Sequence, residues 1–400
     1  MELRKVLQVV ILLPFSMASR NETDVEISSP RTRTETVLEN EPKTMLLYNM
    51  ESDFPKLERD YNLTCTSKYT CSTNVYSNPQ LQFDAVLYPT NTTKPRNDHH
   101  LHNQKQINVF YSMDATATIP ENLDKFFNLT ITYRLDSDIP WPFFAFIDRA
   151  THQQVAPAIE PVWRKTRRPM PGSFEEKEIT DLVKHKEYDA VFVASTCNTQ
   201  SRREDFVRHL RKHGVQVDTH GQCGQFQCPY TDEDCAETIG QKYYFYLVLE
   251  KALCVDYLTE KVVLAMESGA VPVILSGANL TRFLPPGSYI DALQFSVKSL
   301  ADEMARLIAD PSSYESFFWW RTQYRVERRD RPHREIDESH PFCKLCSVLH
   351  KLDKHYVYTS RGSRSVRKWW NKMPNSDRSA CVHNDESVYK PTMTKWRTLV

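Results

Sequence analysis

Residues 256 to 261 read Asp-Tyr-Leu-Thr-Glu-Lys, which brings a phenol, a hydroxyl, carboxylates and an ammonium into six positions. Lys261 falls in the first turn of a helix expected from Val262, Val263, Ala265 and Met266. The positive end of a helix already favours a phosphate, and a lysine there adds to it. Thr259 is the expected N-cap and Gly269 the left-handed stop of that helix. Upstream, Glu250 ends the apolar run Tyr-Tyr-Phe-Tyr-Leu-Val-Leu, so its carboxylate should face a cleft. Asp114 similarly follows the apolar run Ile107 to Met113. Partial burial there should raise its pKa toward that of a useful proton acceptor.

These groups need a frame that delivers them to one place. Ala270 to Leu275 has no polar alternation, as expected of a strand covered on both faces in a parallel α/β sheet. Pro272 lacks a ladder donor and belongs near the start of that strand. Ser276 and Gly277 follow at its carboxyl end, where open α/β sheets bind ligands. Further strand-like runs are FDAVLY, INVFYSM, LTITYR, PFFAFID, YDAVFVAST, VQVD and YYFYLVLE, with amphipathic helices at 202–214 and 296–311. Alternating strands and helices predict doubly wound sheets, and two such domains facing each other make a cleft. The expected order is a hydrophobic N-terminus (1–19), a stem or linker (20–80), two α/β domains (81–180 and 181–335) and a disulfide-bearing C-terminal tail (336–400).

The 400 residues are 40% hydrophobic, enough for two modest cores. Lys+Arg and Asp+Glu are both 51, so no net charge points to nucleic acid. The basic run Arg325 to Glu335 is interrupted by acids and is expected to be a solvated surface. Arg4 and Lys5 precede a short apolar stretch that ends near Ala18 and Ser19, the pattern of a signal peptide or a short signal anchor. Either one sends the rest of the chain into the secretory lumen. Glycosylation sequons at Asn21, Asn62, Asn91, Asn128 and Asn279 agree with that compartment. So do ten cysteines, whose clusters Cys65/Cys71, Cys223/Cys228/Cys235 and Cys343/Cys346 suggest short-loop disulfides. Zinc is disfavoured at Cys343 and Cys346, which lack a second pair at finger spacing.

Residues 244 to 291 resemble the donor-binding signature of the α1,3-fucosyltransferases, through DYLTEK, then GAVPV, then PPGSYID. NLTITYRLDSD and the stretch from Val193 to Gly224 resemble two further blocks of that family. The resemblance implies a GT-B-like architecture, with two Rossmann-like domains facing a cleft, and inverting transfer of fucose from GDP-fucose. It implies that Arg203 and Lys261 neutralise the diphosphate, that Tyr257 donates to it, that Glu260 accepts from the ribose hydroxyls and that Glu250 contacts the donor. Tyr133 and Arg134 match cleft positions. Asp114 stands where the family carries a glutamate base, and Lys251 replaces an amide in the family's F-E-N-S. Asp136 and Asp138 have a manganese-binding spacing but fall in the acceptor domain. No cofactor is therefore expected beyond the donor substrate, a divalent metal being at most stimulatory.

Cys223 to Cys235 resembles an insertion in members that fucosylate the innermost N-acetylglucosamine of N-glycans. The expected activity is thus transfer to a GlcNAc 3-hydroxyl of a glycan or glycoprotein. The alternatives are a relative acting on terminal lactosamine, a transferase with another donor, and a catalytically impaired glycan-binding module. The expected location is the Golgi lumen, type II and membrane-bound if the N-terminal segment stays as an anchor, secreted otherwise.

Overall fold

Apolar strands in the first half of the chain assemble into a sheet whose core strands have no exposed face. The computed structural model describes residues 41–50, 60–65, 69–75, 82–90, 106–164, 174–224, 241–329, 340–351 and 365–382. The first sheet contains β1 (Lys43–Leu47), β2 (Asp60–Thr64), β3 (Thr70–Asn74), β4 (Ala85–Tyr88), β5 (Ile107–Ser112), β6 (Leu129–Thr132) and β7 (Ile139–Pro140). Their order is β2-β3-β1-β4-β5-β6-β7, parallel throughout except for the β2–β3 pair. Every residue of β4, β5 and β6 is buried, as continuous apolar runs require of parallel strands.

The stem expected up to residue 80 is corrected by this sheet. β1, β2 and β3 lie within that stretch, and Met45, Leu46 and Leu47 are fully inaccessible. The segment is polar on average, but β1 pairs on both sides, with β3 and β4, so a three-residue apolar core suffices.

After β8 (Phe144–Asp148) and β9 (Gln154–Ala156) comes the second sheet, whose strands are β10 (Tyr188–Val193), β11 (Val217–His220), β12 (Tyr243–Leu249), β14 (Val271–Leu275) and β15 (Ile290–Asp291). It is fully parallel in the order β11-β10-β12-β14-β15. Pro272 is the second residue of β14, and Gly269 stops the preceding helix, Lys261–Ser268, at φ 80°. The run PFFAFID departs from the parallel pattern. β8 pairs antiparallel with β9 and with β16 (Tyr324–Arg328), a small sheet beside the two large ones.

The C-terminal segment returns onto both halves. Helix Pro341–Lys351 buries Phe342, Leu345 and Leu349 against Met45, Leu47, Val109 and Ile131 of the first sheet. It carries Cys343 and Cys346, which pair with Cys65 and Cys71. Residues three apart on a helix share a face, so both sulfurs meet the same neighbouring surface rather than each other. The expected Cys65–Cys71 and Cys343–Cys346 loops are therefore replaced by two long-range links. Cys223 bonds Cys197, while Cys228 and Cys235 lie outside the described residues.

Among the sequons, Asn62 lies on β2, and Asn279 keeps a partly exposed side chain whose oxygen accepts from Thr281 Oγ1 at 2.8 Å. Asn128 is engaged within the fold: its amide oxygen accepts the Asn108 amide at 2.8 Å, and its Nδ2, the atom a glycan would join, is buried. Asn21 and Asn91 lie outside the described residues, as does the N-terminal hydrophobic stretch. No helix among the described residues is long and apolar enough to cross a membrane.

Candidate functional site

The carboxyl ends of the two sheets converge. β5 delivers Asp114, and β12 delivers Glu250 and Lys251. Asp114 Oδ1 lies 2.9 Å from Lys251 Nζ. A turn fixes the carboxylate locally, since the same oxygen accepts from Thr116 N at 2.9 Å and Thr116 Oγ1 at 2.8 Å. Asp114 Oδ2 takes no hydrogen bond from the described residues, and the side chain is 46% exposed. Burial alone would raise this carboxyl's pKa, but Lys251 and the Thr116 donors outweigh it and hold it below its ordinary value. The expectation of a raised pKa is thereby reversed, because the neighbouring charge is stronger than the desolvation.

Glu250 is also repositioned relative to expectation. It is wholly inaccessible, and its Oε1 accepts from Thr259 N at 2.7 Å and Thr259 Oγ1 at 2.9 Å. Thr259 consequently does not cap the helix. Glu260 occupies the N-cap position with no side-chain bond to the first-turn amides. Glu250 thus folds the loop between β12 and the helix back on itself and sets the place of Lys261. Its Oε2 is buried without a hydrogen-bond partner among the described residues.

Arg203 opens helix Arg203–Lys212 and is 1% exposed. Its guanidinium donates to Leu249 O, the last residue of β12, at 2.8 Å and to Thr196 O, in the bend after β10, at 2.7 Å. Lys261 is half-buried. Burial lowers its pKa, Arg203 and Lys251 push it the same way, and Glu250 and Glu260 oppose them. Arg203, Lys251 and Lys261 are thus close enough for their charges to bear on one site. Glu250 and Glu260 offset part of that positive charge, and a bound anion would offset more of it.

An aromatic wall backs this cluster. Tyr257 meets Tyr133 edge-on at 5.0 Å between centroids, Tyr133 meets Trp370 at 5.7 Å, and Phe143 packs on both tyrosines. Burial, together with nearby Glu250 and Asp114, raises the Tyr257 pKa, so its phenol stays a neutral donor. Tyr133 and Arg134 do not open on the cleft. Tyr133 is buried in this wall. Arg134 binds Asp136 through Nε and Nη2, both at 2.8 Å, and its Nη1 caps the carbonyls of Trp369, Trp370 and Lys372. Its guanidinium is spent on closing helix Val366–Asn371, whose free carbonyls need donors. Asp136 is held by Arg134, and Asp138 Oδ2 accepts from Thr130 N and Oγ1, so both carboxylates serve the turn after β6.

Two features were missed in the sequence. Cys254 and Cys381 form a disulfide joining β13 (Leu253–Cys254) to β17 (Cys381–Val382), with both sulfurs near Ala115 O, at 3.9 and 3.8 Å. Trp370 Nε1 donates to Ala117 O at 2.8 Å. The C-terminal segment therefore props the loop that carries Asp114. The Trp369-Trp370 pair was the available signal. Gly277 serves the same region, since any Cβ there would meet the Cys254 backbone at 2.5–2.6 Å.

Two sheets whose carboxyl ends share one charged cluster define a GT-B-like α/β protein. A crystal structure of an α1,3-fucosyltransferase has the same fold, at TM-score 0.50 and 15% identity over 80% of this chain and 94% of that one. The family described as glycosyltransferase family 10 (fucosyltransferase) C-term matches residues 183–369, and fucosyltransferase, N-terminal matches residues 40–144. The chain belongs to glycosyltransferase family 10. It is 38% identical to alpha-(1,3)-fucosyltransferase C of Drosophila melanogaster over 66% of this chain and 59% of that protein. It is 31% identical to a 4-galactosyl-N-acetylglucosaminide 3-alpha-L-fucosyltransferase of Pan troglodytes over 71% of this chain and 69% of that protein. The match thus spans less than two thirds of the Drosophila relative's length.

Proposed function

We propose that this chain transfers L-fucose from GDP-fucose to the 3-hydroxyl of a GlcNAc residue in a glycan, with inversion at the anomeric carbon. The observation that carries this is a free carboxylate oxygen, Asp114 Oδ2, at the same cleft as the Arg203, Lys251 and Lys261 charges. The acceptor oxygen attacks the fucose C1 while the C1–O bond to GDP breaks. Asp114 takes the acceptor's proton, and the electron pair leaves with the diphosphate. Lys261 and Arg203 stabilise the charge that grows on the leaving group, and Tyr257 donates to it. Glu260 accepts from the ribose hydroxyls, and Glu250 orients the loop that holds Lys261. No resident metal is needed, and a divalent cation at most stimulates.

The proposed acceptor is the asparagine-linked GlcNAc of an N-glycan, and the proposed setting is the Golgi lumen. A second reading, a glycan-binding relative with impaired catalysis, is favoured by the ion pair that lowers the basicity of Asp114. The purified chain, given GDP-fucose with chitobiose-core and lactosamine acceptors, separates these by mass spectrometry of products. Addition of one fucose to the core acceptor is expected. Addition to lactosamine alone would move the acceptor assignment, and no transfer to any glycan would favour the binding module.

A further inference from the structure

Lys251 lies between two demands. Its ammonium is 2.9 Å from Asp114 Oδ1, yet its charge also bears on Lys261, beside Arg203. Its backbone is fixed, because Lys251 O accepts the Ser201 amide at 3.0 Å directly after the buried Glu250. The side chain is 30% exposed and has a four-carbon stem, so its head can move while its root stays put. The Asp114 partner is 46% exposed, and an ion pair that open to water is held weakly. A diphosphate carries more negative charge than one carboxylate and would enter among three converging cations.

We propose that Lys251 is a positioning residue that changes partner: it pairs with Asp114 in the empty enzyme and with the donor's diphosphate once the nucleotide is bound. This rests on the fucosyl-transfer reading and adds an order of events to it. While Lys251 holds Asp114, the carboxylate is a weak base, and acceptor protons are not drawn off. Donor binding withdraws Lys251 and raises the basicity of Asp114, whose Oδ1 stays fixed by Thr116 while Oδ2 faces the acceptor hydroxyl. Asp114 and the diphosphate therefore compete for one ammonium, and competition has a sign that a static ion pair lacks.

The test is titration calorimetry of GDP against the full chain and the variants Asp114→Asn, Lys251→Met and the double variant. Asp114→Asn releases Lys251 and is expected to tighten GDP about threefold to fivefold, the range of an exposed pair. Lys251→Met is expected to weaken GDP about tenfold, as loss of a charge-assisted contact does, with Lys251→Arg retaining most of the affinity. In the Lys251→Met background, Asp114→Asn should no longer tighten GDP. A gain that persists there would reflect only the removal of a distant negative charge and would overturn the exchange, as would unchanged GDP affinity in Lys251→Met. Failure of the parent reading looks different: the wild-type chain would bind no GDP, or Asp114→Asn would transfer fucose undiminished.

Discussion

Asp114 and Lys251 form an ion pair of 2.9 Å between the ends of β5 and β12. Both are positions at which the sequence departs from the pattern it resembles, a glutamate shortened to aspartate and an amide replaced by lysine. The departures answer each other in space. An aspartate is one methylene shorter, and the lysine fills part of the gap while anchoring the carboxylate.

The pair should therefore behave non-additively. Asp114→Glu alone would push the longer carboxylate into Lys251, and Lys251→Asn alone would leave the short Asp114 in place, held by Thr116, while removing an ammonium from the donor side. Each is expected to lower transfer about tenfold, while the double variant returns to within about threefold of wild type. Initial rates for the four proteins give the coupling directly. Strictly additive losses would mean that the two sites act independently.

Lys261 and Arg203 are expected to stabilise the same leaving group, but their variants should differ in a second respect. Lys261→Ala removes a half-buried charge whose ammonium holds no backbone carbonyl among the described residues, so transfer should fall about a hundredfold or more with little change in stability. Arg203→Ala strips the buried Leu249 carbonyl, and Thr196 O in the exposed bend after β10, of their donor, which costs about 1–3 kcal/mol of stability besides the activity. Denaturant melts alongside rates check both. With these cations in their proposed role at the diphosphate, most activity should survive EDTA; complete loss restored by manganese would contradict that assignment.

The disulfide Cys254–Cys381 props the Asp114 loop through Ala115. Replacing both cysteines by serine should lower the transfer rate several-fold while GDP affinity stays near wild type, since the donor cations lie on other elements. Equal losses in both would place the disulfide's effect on the whole fold instead. Non-reducing peptide mapping should recover the Cys65–Cys343 and Cys71–Cys346 links.

How much of this was legible in the sequence depends on how local the cause was. β10, β12 and β14 were readable because largely unbroken apolar runs leave no alternative to double-sided burial, and Pro272 and Gly269 behave as their backbone chemistry dictates. β1 was not, because three apolar residues mean little until β3 and β4 flank them. The roles of Glu250, Thr259 and Arg134 also escaped. Each is decided by a partner brought near by the fold: Thr259 preferred a buried carboxylate to its own helix, and Arg134 closes a helix more than 200 residues away. Disulfide partners were hidden for the same reason, since spacing records proximity in sequence alone.

Lys186 offers a pH test of the fold that is independent of catalysis. It is 8% exposed, and its ammonium donates to Gly269 O at 2.7 Å, at the end of the helix that begins with Lys261. Burial, with some repulsion from Arg321, lowers its pKa to about 7. The unfolded chain keeps an ordinary lysine near pH 10.4, so between about 7 and 10.4 the unfolded state binds the extra proton. Stability must then rise with pH across that window, the penalty being full below pH 7 and fading toward 10.4. The full swing is about 3–5 kcal/mol by the size of the shift. Lys186→Met keeps the apolar stem and removes the titration, so its denaturation free energy should lack this rise. Urea melts of both proteins from pH 7 to 9.5 decide it: parallel curves would mean that Lys186 keeps an ordinary pKa in the folded chain.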